Sequence, residues 1–315
     1  MPIPRNSPTP GGTPHAPHRP PITPVAPRPT PAAPPAPSRR RRSLLGAGGA
    51  LLTLLALLAA APEPAAGATG VAHRPVHPER DWMGSTVAAH EGRVADGAGA
   101  SSTAKLPRTP GFDVSNWQPK VDWAGAYKKG ARFAYIKATE GTTYRDPSFN
   151  SHYTKAYSAG FIRGAYHFAT PNSSGAKAQA DWFVAHGGGW SKDGRTLPPM
   201  VDIEYNPYGA SCYGLGKTAM VNWIAAFVNE VHARTTRWAT IYTSHDWWST
   251  CTGNTTAFAA TDPLFVARYA SSPGTLPAGW PFHTFWQYAN SGTFPGDQDY
   301  FNGPLAGLRN LANNT

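Results

Sequence analysis

From Gly111 to the C-terminus, short apolar runs alternate with segments of helical spacing, and we take 111–315 as one domain. The apolar runs predict strands at 111–114, 133–138, 162–168, 200–204, 238–242, 264–269 and 283–288, and a last strand around Asp299. The helical spacing predicts helices at 121–129, 146–159, 174–185 and 217–234. About eight hydrophobic strands that alternate with helices predict an α/β fold, a TIM-type barrel of parallel strands whose last units are reduced.

The predicted barrel indicates where a ligand would bind, because ligands meet such barrels at the carboxyl ends of the strands. Most of the predicted strands end in polar or aromatic side chains. The candidates are Asp113, Lys137, Tyr166, Asp202, Glu204, Tyr242, Trp286, Gln287, Tyr288, Asp297 and Asp299. A rim that is both acidic and aromatic suits a neutral sugar chain, since sugar faces stack on aromatic rings while carboxyl groups act on the glycosidic bond.

Asp202 and Glu204 form the most informative pair in the chain. They end the apolar run at 200–204, and side chains two positions apart on a strand share a face. Two carboxylates side by side in a desolvated site do not both ionise easily, so we expect one pKa to rise while the other stays low. The pair would then supply an acid and an anion. The alternative is a strand-end pair that meets solvent or caps the next helix.

The residues before the barrel divide by composition into three parts. Residues 1–38 are rich in Pro, Ala, Thr and Arg and cannot bury enough apolar surface to fold, which predicts a disordered tail. Residues 39–68 combine an arginine cluster, an apolar run and a small-residue site, which predicts a twin-arginine-like export signal. A membrane anchor is the alternative, because about 18 apolar residues can just span a bilayer. Residues 69–110 are polar, which predicts an extension or linker.

Charge and cysteine content narrow the possible functions. The formal net charge is +10, but residues 1–68 hold seven arginines and one acid, which leaves +4 for the remainder. That mild excess suits an approach to anionic bacterial walls and is too small to indicate a nucleic-acid-binding protein. The only two cysteines, Cys212 and Cys251, lie in the part that would be exported, so we expect a disulfide rather than two free thiols.

Five motifs follow one another along the predicted domain. They are GFDVSNWQ at 111–118, AYIKATEG at 134–141, RGAYHF at 163–168, VDIE at 201–204 and TFWQY at 284–288. Together they resemble glycoside hydrolase family 25, the Chalaropsis-type N-acetylmuramidases, in its secreted actinobacterial form. The resemblance implies a (β/α)5(β)3 barrel that cleaves the β-1,4 bond between N-acetylmuramic acid and N-acetylglucosamine in peptidoglycan. It also implies that the site carboxyls are Asp113, Asp202, Glu204 and Asp299, with Asp297 as the alternative to the last.

The expected mechanism uses Glu204 as the general acid. It needs a raised pKa to hold its proton near neutrality, and Asp202 is the expected cause of that rise. Asp202 is also expected to steer the substrate's own 2-acetamido group to the anomeric carbon, while activation of water by a carboxylate is the second route. Asp113 and Asp299 would bind substrate or tune the charge of the pair. The expected substrate-binding residues are Tyr166, Lys137, Tyr242, Trp286, Gln287, Tyr288 and Asp297.

Three other functions fit parts of the sequence. A chitinase-like hydrolase also uses a D-x-E pair, but the residues before Asp202 lack the further acids of its motif. A non-catalytic barrel that binds the cell wall would have the same fold but no hydrolase activity. A metal-dependent hydrolase would need a histidine spacing that the chain lacks, and His167 is expected to be a hydrogen-bonded barrel residue. We therefore expect no cofactor and no metal, and a monomer that binds the peptidoglycan glycan strand. Nucleic acid is not an expected partner, and the membrane is one only if the signal is retained.

Overall fold

The computed structural model describes residues 76–92 and 107–315, which belong to the same compact unit. The predicted tail and export signal at 1–68 lie outside these residues, and so does part of the predicted extension at 69–110. Within the described residues, no helix is long and apolar enough to cross a membrane.

A single sheet closes into the barrel at the centre of the described residues. Its strands are β1 (Thr109–Val114), β2 (Phe133–Glu140), β3 (Tyr144–Arg145), β4 (Ile162–Phe168), β5 (Met200–Asp202), β6 (Thr240–Ser244), β7 (Leu264–Ala267), β8 (Phe285–Ala289) and β9 (Asp297–Phe301). Apart from the two-residue β3, which pairs only with β2, the strands follow one another around the barrel, and β9 pairs with β1 to close it. The predicted barrel is confirmed.

The direction of the last strand differs from the prediction of a wholly parallel barrel. Apart from the short β3, which is antiparallel to β2, the strands from β1 to β8 are parallel, but β9 is antiparallel to both β8 and β1. Only residues 290–296 separate β8 from β9. A parallel pair needs a crossover of about a dozen residues or more, so a connection this short can only turn back.

Most of the helices lie between strands of the barrel in the sequence. A 3-10 helix (Pro78–Arg80) and α1 (Val87–Glu91) precede it, and α2 (Trp123–Lys128), α3 (Phe149–Ser158), α4 (Ala176–Ala185), α5 (Lys217–Thr235), α6 (His245–Thr252) and α7 (Leu305–Asn313) follow. Each of the first five barrel strands is followed by one helix, from α2 after β1 to α6 after β6. The last three strands, β7, β8 and β9, follow one another without a helix between them. This is the (β/α)5(β)3 arrangement.

Apolar side chains form two clusters because successive residues of a strand point to opposite faces. Tyr135 and Phe265 belong to the cluster inside the barrel. Their neighbours Ile136 and Val266 belong to the cluster between the strands and the outer helices. The mostly hydrophobic strands seen in the sequence reflect burial on both faces.

Helix α3 begins later than the Asp-Pro start predicted at 146. Its first residue is Phe149, and Ser148 is the N-cap. The carboxylate of Asp146 is used elsewhere, since Oδ1 accepts a hydrogen bond from Ser148 N at 2.8 Å and Oδ2 accepts one from Asn116 N at 2.7 Å. Asp146 therefore ties the loop after β1 to the start of α3.

Cys212 and Cys251 form the expected disulfide, and the two positions are 39 residues apart. The bond joins the loop between β5 and α5 to α6. It therefore constrains the segment that immediately follows the Asp202 and Glu204 pair.

Replacing both cysteines by alanine is expected to lower the free energy of unfolding by about 3–4 kcal/mol, because the opened loop regains conformational freedom in the unfolded chain. Urea unfolding of the variant and of the oxidised wild type measures the difference. As a control, a reductant should weaken the wild type to the level of the variant and leave the variant unchanged. A loss below about 1 kcal/mol would contradict this role of the disulfide.

Candidate active site

Asp202 and Glu204 point into the mouth of the barrel, the end where the parallel strands finish. Met200 packs in the interior cluster, whereas Val201 and Ile203 pack in the outer cluster. The alternation of side chains therefore directs Asp202 and Glu204 inward. Strand β5 ends at Asp202 and not at the predicted Glu204, which lies two residues further on. Both carboxyl groups are fully buried.

Gln287 is a hub that connects two aspartates and two tyrosines in the mouth. Its Nε2 donates to Asp113 Oδ2 at 2.9 Å and to Asp297 Oδ2 at 3.2 Å. Its Oε1 accepts from Tyr242 OH at 2.7 Å and from Tyr269 OH at 3.0 Å. A neutral amide thus holds Asp113 and Asp297 next to each other.

The two aspartates of β9 lie at different depths. The strand register pairs Asp297 with Asp113 and Asp299 with Gly111. Because β1 runs towards the mouth, Asp297 lies at the level of Asp113, and Asp299 lies one layer deeper in the barrel. Asp299 is completely buried, and neither of its carboxyl oxygens has a hydrogen-bond partner among the described residues.

Burial controls the ionisation of the cluster. It raises the pKa of Asp113 to about 8 and the pKa of Glu204 to about 7. Burial, followed by the negative charge of Glu204, raises the pKa of Asp202 well above its ordinary value. The prediction of one raised and one low pKa is therefore wrong, because both groups have lost their water. Burial, rather than Asp202, is also the main cause of the shift at Glu204, and the charge of Asp81 adds to it.

Asp202 differs from Glu204 in its hydrogen bonds. Neither carboxyl oxygen of Asp202 has a partner among the described residues, although the side chain is fully buried. A buried polar group without a partner is costly. Asp202 is therefore placed to accept a hydrogen bond from a ligand that enters the mouth.

Lys137 and Glu140 form an ion pair beside the cluster. The strand register shifts between Lys137 and Thr139, and this bulge brings residue 140 next to residue 137. Lys137 Nζ donates to Glu140 Oε2 at 2.6 Å, and both side chains are fully buried. Burial raises the pKa of Glu140 to about 8, while the charge of Lys137 acts in the opposite direction. The predicted site residue Lys137 is thus at the mouth, with an acidic partner that the sequence analysis did not name.

Two of the aromatic residues predicted for the site lie inside the barrel and two do not. Tyr166 and Tyr242 belong to the interior cluster. Trp286 lies in the outer cluster with its Nε1 donating to Arg268 O at 2.9 Å, and the Tyr288 ring is 5.7 Å from the Trp286 ring. The prediction that Trp286 and Tyr288 line the site is wrong, because their neighbour Gln287 occupies the inward position of β8.

His167 has the structural role that the sequence analysis expected. Its Nδ1 is 2.8 Å from Thr139 Oγ1 and its Nε2 is 3.0 Å from Gln179 Oε1. Burial lowers its pKa to about 3, so the ring is neutral at physiological pH. Both ring nitrogens are engaged away from the carboxyl cluster.

Residues 76–92, which we call the mouth segment, lie over the carboxyl cluster. The backbone N–H groups of Gly84 and Thr86 donate to Glu204 Oε1 at 2.7 Å and to Glu204 Oε2 at 3.2 Å, and Thr86 Oγ1 also donates to Oε2. Both oxygens of Glu204 thus have donors from this segment. The described part of the predicted extension packs on the barrel and contacts the site.

Three further residues of the mouth were not among the candidate site residues. Glu140 ends β2, Tyr269 follows β7, and Trp117 follows β1 and is 54% exposed. Each stands at or just beyond a strand end, which is the rule that found the other candidates. Tyr269 and Trp117 lie beyond the strands that place them, so their direction could not be inferred from alternation.

Comparison with known proteins shows which family the chain resembles. The sequence model of glycosyl hydrolases family 25 matches residues 112–297. An N,O-diacetylmuramidase from Arthroderma benhamiae is 52% identical over 227 residues, 72% of this chain and 96% of the relative. Lysozyme M1 from Streptomyces globisporus is 50% identical over 234 residues, 71% of this chain and 80% of the relative.

A solved structure extends the comparison to three dimensions. The muramidase from Trichobolus zukalii is 56% identical with a TM-score of 0.65, and the match covers 66% of this chain and 100% of that one. The chain therefore belongs to glycosyl hydrolases family 25, and it is a glycosidase.

Proposed function

We propose that this peptidoglycan hydrolase cleaves the β-1,4 bond between N-acetylmuramic acid and N-acetylglucosamine, with Glu204 as the general acid. Its family and its relatives named muramidase and lysozyme make it an enzyme of the lysozyme type. The observation that carries the residue roles is the buried carboxyl cluster at the mouth, in which Glu204 has a pKa of about 7. An acid with such a pKa still holds its proton near neutrality and can give it to a leaving group.

Asp202 is proposed to position the 2-acetamido group of the substrate. Its two oxygens have no partner among the described residues, so they are available to accept the amide N–H. A carboxylate that holds this amide directs the carbonyl oxygen of the acetamido group at the anomeric carbon. Asp202 and Glu204 lie two residues apart and face the same way, so they do not flank a sugar from opposite sides as a water-activating pair would.

Asp113 and Asp297 are proposed to support the pair, with Asp297 in the role that the sequence analysis gave to Asp299. Asp297 lies level with Asp113 and shares the amide of Gln287 with it, whereas Asp299 lies deeper. The charge of Asp113 raises the pKa of Asp297, and so does the charge of Glu204. The charges that raise the pKa of Asp299 are those of Asp113 and Asp297. Of the two aspartates of β9, only Asp297 is thus coupled to Glu204.

The enzyme is proposed to act outside the cell on the glycan strand of bacterial peptidoglycan. The predicted export signal at 39–68 and the disulfide between Cys212 and Cys251 both support an oxidising, extracellular setting. The excess positive charge of the chain beyond the signal favours contact with an anionic wall. A monomer without metal or cofactor remains the expected form.

Glu204→Gln is expected to lower kcat by about a thousandfold or more, because the amide cannot supply the proton, and Asp202→Asn is expected to lower it less. The two variants are compared with the wild type on purified peptidoglycan, with mass spectrometry of the fragments. Wild-type digests should contain muropeptides with reducing muramic-acid ends. Reducing glucosamine ends would refute the muramidase assignment, and substantial hydrolysis by Glu204→Gln would refute the role of Glu204 as the acid. A larger loss of kcat with Asp202→Asn than with Glu204→Gln would exchange the two roles.

Asp297→Asn and Asp299→Asn form a second pair that distinguishes the two aspartates of β9. We expect kcat/KM to fall by at least about tenfold in Asp297→Asn, since it removes a charge coupled to Glu204, and to fall much less in Asp299→Asn. Thermal unfolding of both variants checks that neither effect comes from lost structure. Equal activity losses, or a larger loss with Asp299→Asn, would return the role to Asp299.

A further inference from the structure

The mouth segment fills the space in which a substrate would lie. The Met83 side chain is completely buried and joins the interior cluster together with Val87. The backbone of Met83 is also held, since its N–H donates to Tyr166 OH at 3.2 Å and its carbonyl oxygen accepts from Gln287 Nε2 at 3.1 Å. The segment therefore uses groups that line the proposed glycan site.

The same segment occupies the general acid. Gly84 and Thr86 supply three hydrogen-bond donors to the two oxygens of Glu204. Donors of this kind lower the pKa of a carboxyl group, and at Glu204 they oppose the rise that burial causes. While the segment is docked, it engages both oxygens of Glu204.

Contacts on either side of Gly84 in the sequence cover aromatic faces of the barrel. Trp82 stacks on Trp117 with the ring centroids 4.7 Å apart. His90 stacks on Tyr205 with the centroids 4.0 Å apart, and Tyr205 OH donates to Glu91 Oε1 at 2.9 Å. Sugar rings bind to aromatic faces of this kind, so Trp82 and His90 stand where sugars would stack.

The start of the segment is held by the buried ion pair. Lys137 Nζ donates to Pro78 O at 2.9 Å and also to Asp81 O. The Asp81 carboxylate in turn accepts a hydrogen bond from Tyr208 OH. Polar contacts therefore anchor most of the segment, from Pro78 to Glu91, and not only the part at Glu204.

We propose that the mouth segment is an intramolecular inhibitor, which keeps glycan out of the groove until it is released from the barrel. The proposal rests on the proposed function, since it takes the covered mouth as the glycan site. A tethered segment rebinds at a high effective concentration each time it opens, and glycan affinity is reduced by the fraction of molecules that are open.

The chain length of a solved relative agrees with treating the barrel and the mouth segment as separate parts. The Trichobolus zukalii muramidase matches over 100% of its own chain but over only 66% of this one. Residues 109–315, the barrel with α7, are 207 of 315 residues, which is the same share. A match of that extent is accounted for by the barrel alone. The chain of that muramidase thus has the length of the barrel alone.

Two glycines of the mouth segment provide a matched pair of variants. Both have a positive φ, +89° at Gly84 and +67° at Gly92, so alanine is strained at either position. A Cβ at Gly84 would lie 2.4 Å from Tyr269 OH and 2.5 Å from Gln287 Oε1, whereas a Cβ at Gly92 would meet nothing within 4 Å. Gly84→Ala should therefore displace the segment, and Gly92→Ala controls for backbone strain.

Full-length Gly84→Ala is expected to bind the disaccharide N-acetylglucosaminyl-N-acetylmuramic acid at least about tenfold more tightly than the wild type. This disaccharide is a product of the proposed reaction and ends in N-acetylmuramic acid, so it holds no bond that the enzyme would cleave. Calorimetry therefore measures its binding alone. Peptidoglycan hydrolysis should rise by a similar factor, and Gly92→Ala should behave as the wild type. Equal affinities and rates in all three chains would overturn the proposal.

A recognition sequence for a site-specific protease, placed between Gly97 and Ala98, tests the release step. After cleavage and dilution to nanomolar concentration, hydrolysis of peptidoglycan is expected to rise at least about tenfold. A synthetic peptide of residues 76–92 should restore the uncleaved rate, and the same peptide with alanine in place of Gly84 should inhibit much less. Unchanged rates after the fragments have been separated by gel filtration would refute the inhibitor role.

The two readouts separate this proposal from the proposed function. Tighter disaccharide binding by Gly84→Ala, without hydrolysis by any form of the chain, would support the inhibitor and refute the muramidase assignment. Hydrolysis at one rate by the wild type, by Gly84→Ala and by the cleaved chain would support the muramidase and refute the inhibitor.

Discussion

The exclusion of water from a group of carboxyl groups is the constraint on which the site depends. Asp113, Asp202, Glu204 and Asp297 are each at most 3% exposed. An ionised carboxylate loses its hydration on burial, and each negative charge makes the next ionisation harder, so these groups hold their protons to a higher pH than free acids do. The barrel enforces this arrangement by directing the carboxyls inward from three different strands or strand ends. A proton donor that works near neutrality is the chemical consequence.

The requirements of such a mouth explain both its proposed substrate and its proposed inhibitor. A carboxyl group out of water needs hydrogen-bond donors, and either a glycan with its acetamido and hydroxyl groups or a peptide backbone can supply them. Gly84 and Thr86 provide donors to Glu204, while Asp202 has no partner among the described residues even with the segment docked. The segment thus satisfies the acid and leaves its neighbour unsatisfied. Because the glycan and the mouth segment would compete for the same polar groups, the activity of the enzyme depends on whether the segment is docked.

Local patterns allowed much of the fold to be predicted, and longer-range effects account for the rest. Strand β4 was predicted at its observed bounds because its run is mostly apolar or aromatic. Periodicity does not tell which face of β8 turns inward, so Trp286 and Tyr288 were expected at the site together with Gln287, although only Gln287 faces inward. The contact between Gly84 and Glu204 spans 120 residues, and no local pattern in a polar stretch encodes it. The depth of Asp299 likewise became visible only from its register with β1.

The pKa of Glu204 tests the central claim most directly. Carbon-13 NMR of its side-chain carboxyl through a pH titration of the full-length chain, with the signal assigned by its loss in Glu204→Gln, measures this value. We predict a transition near pH 7, accompanied by small shifts in the signals of Asp202 and Asp297 as the charge appears. A transition near the ordinary value of 4.5, without any response from those neighbours, would contradict a buried and coupled cluster.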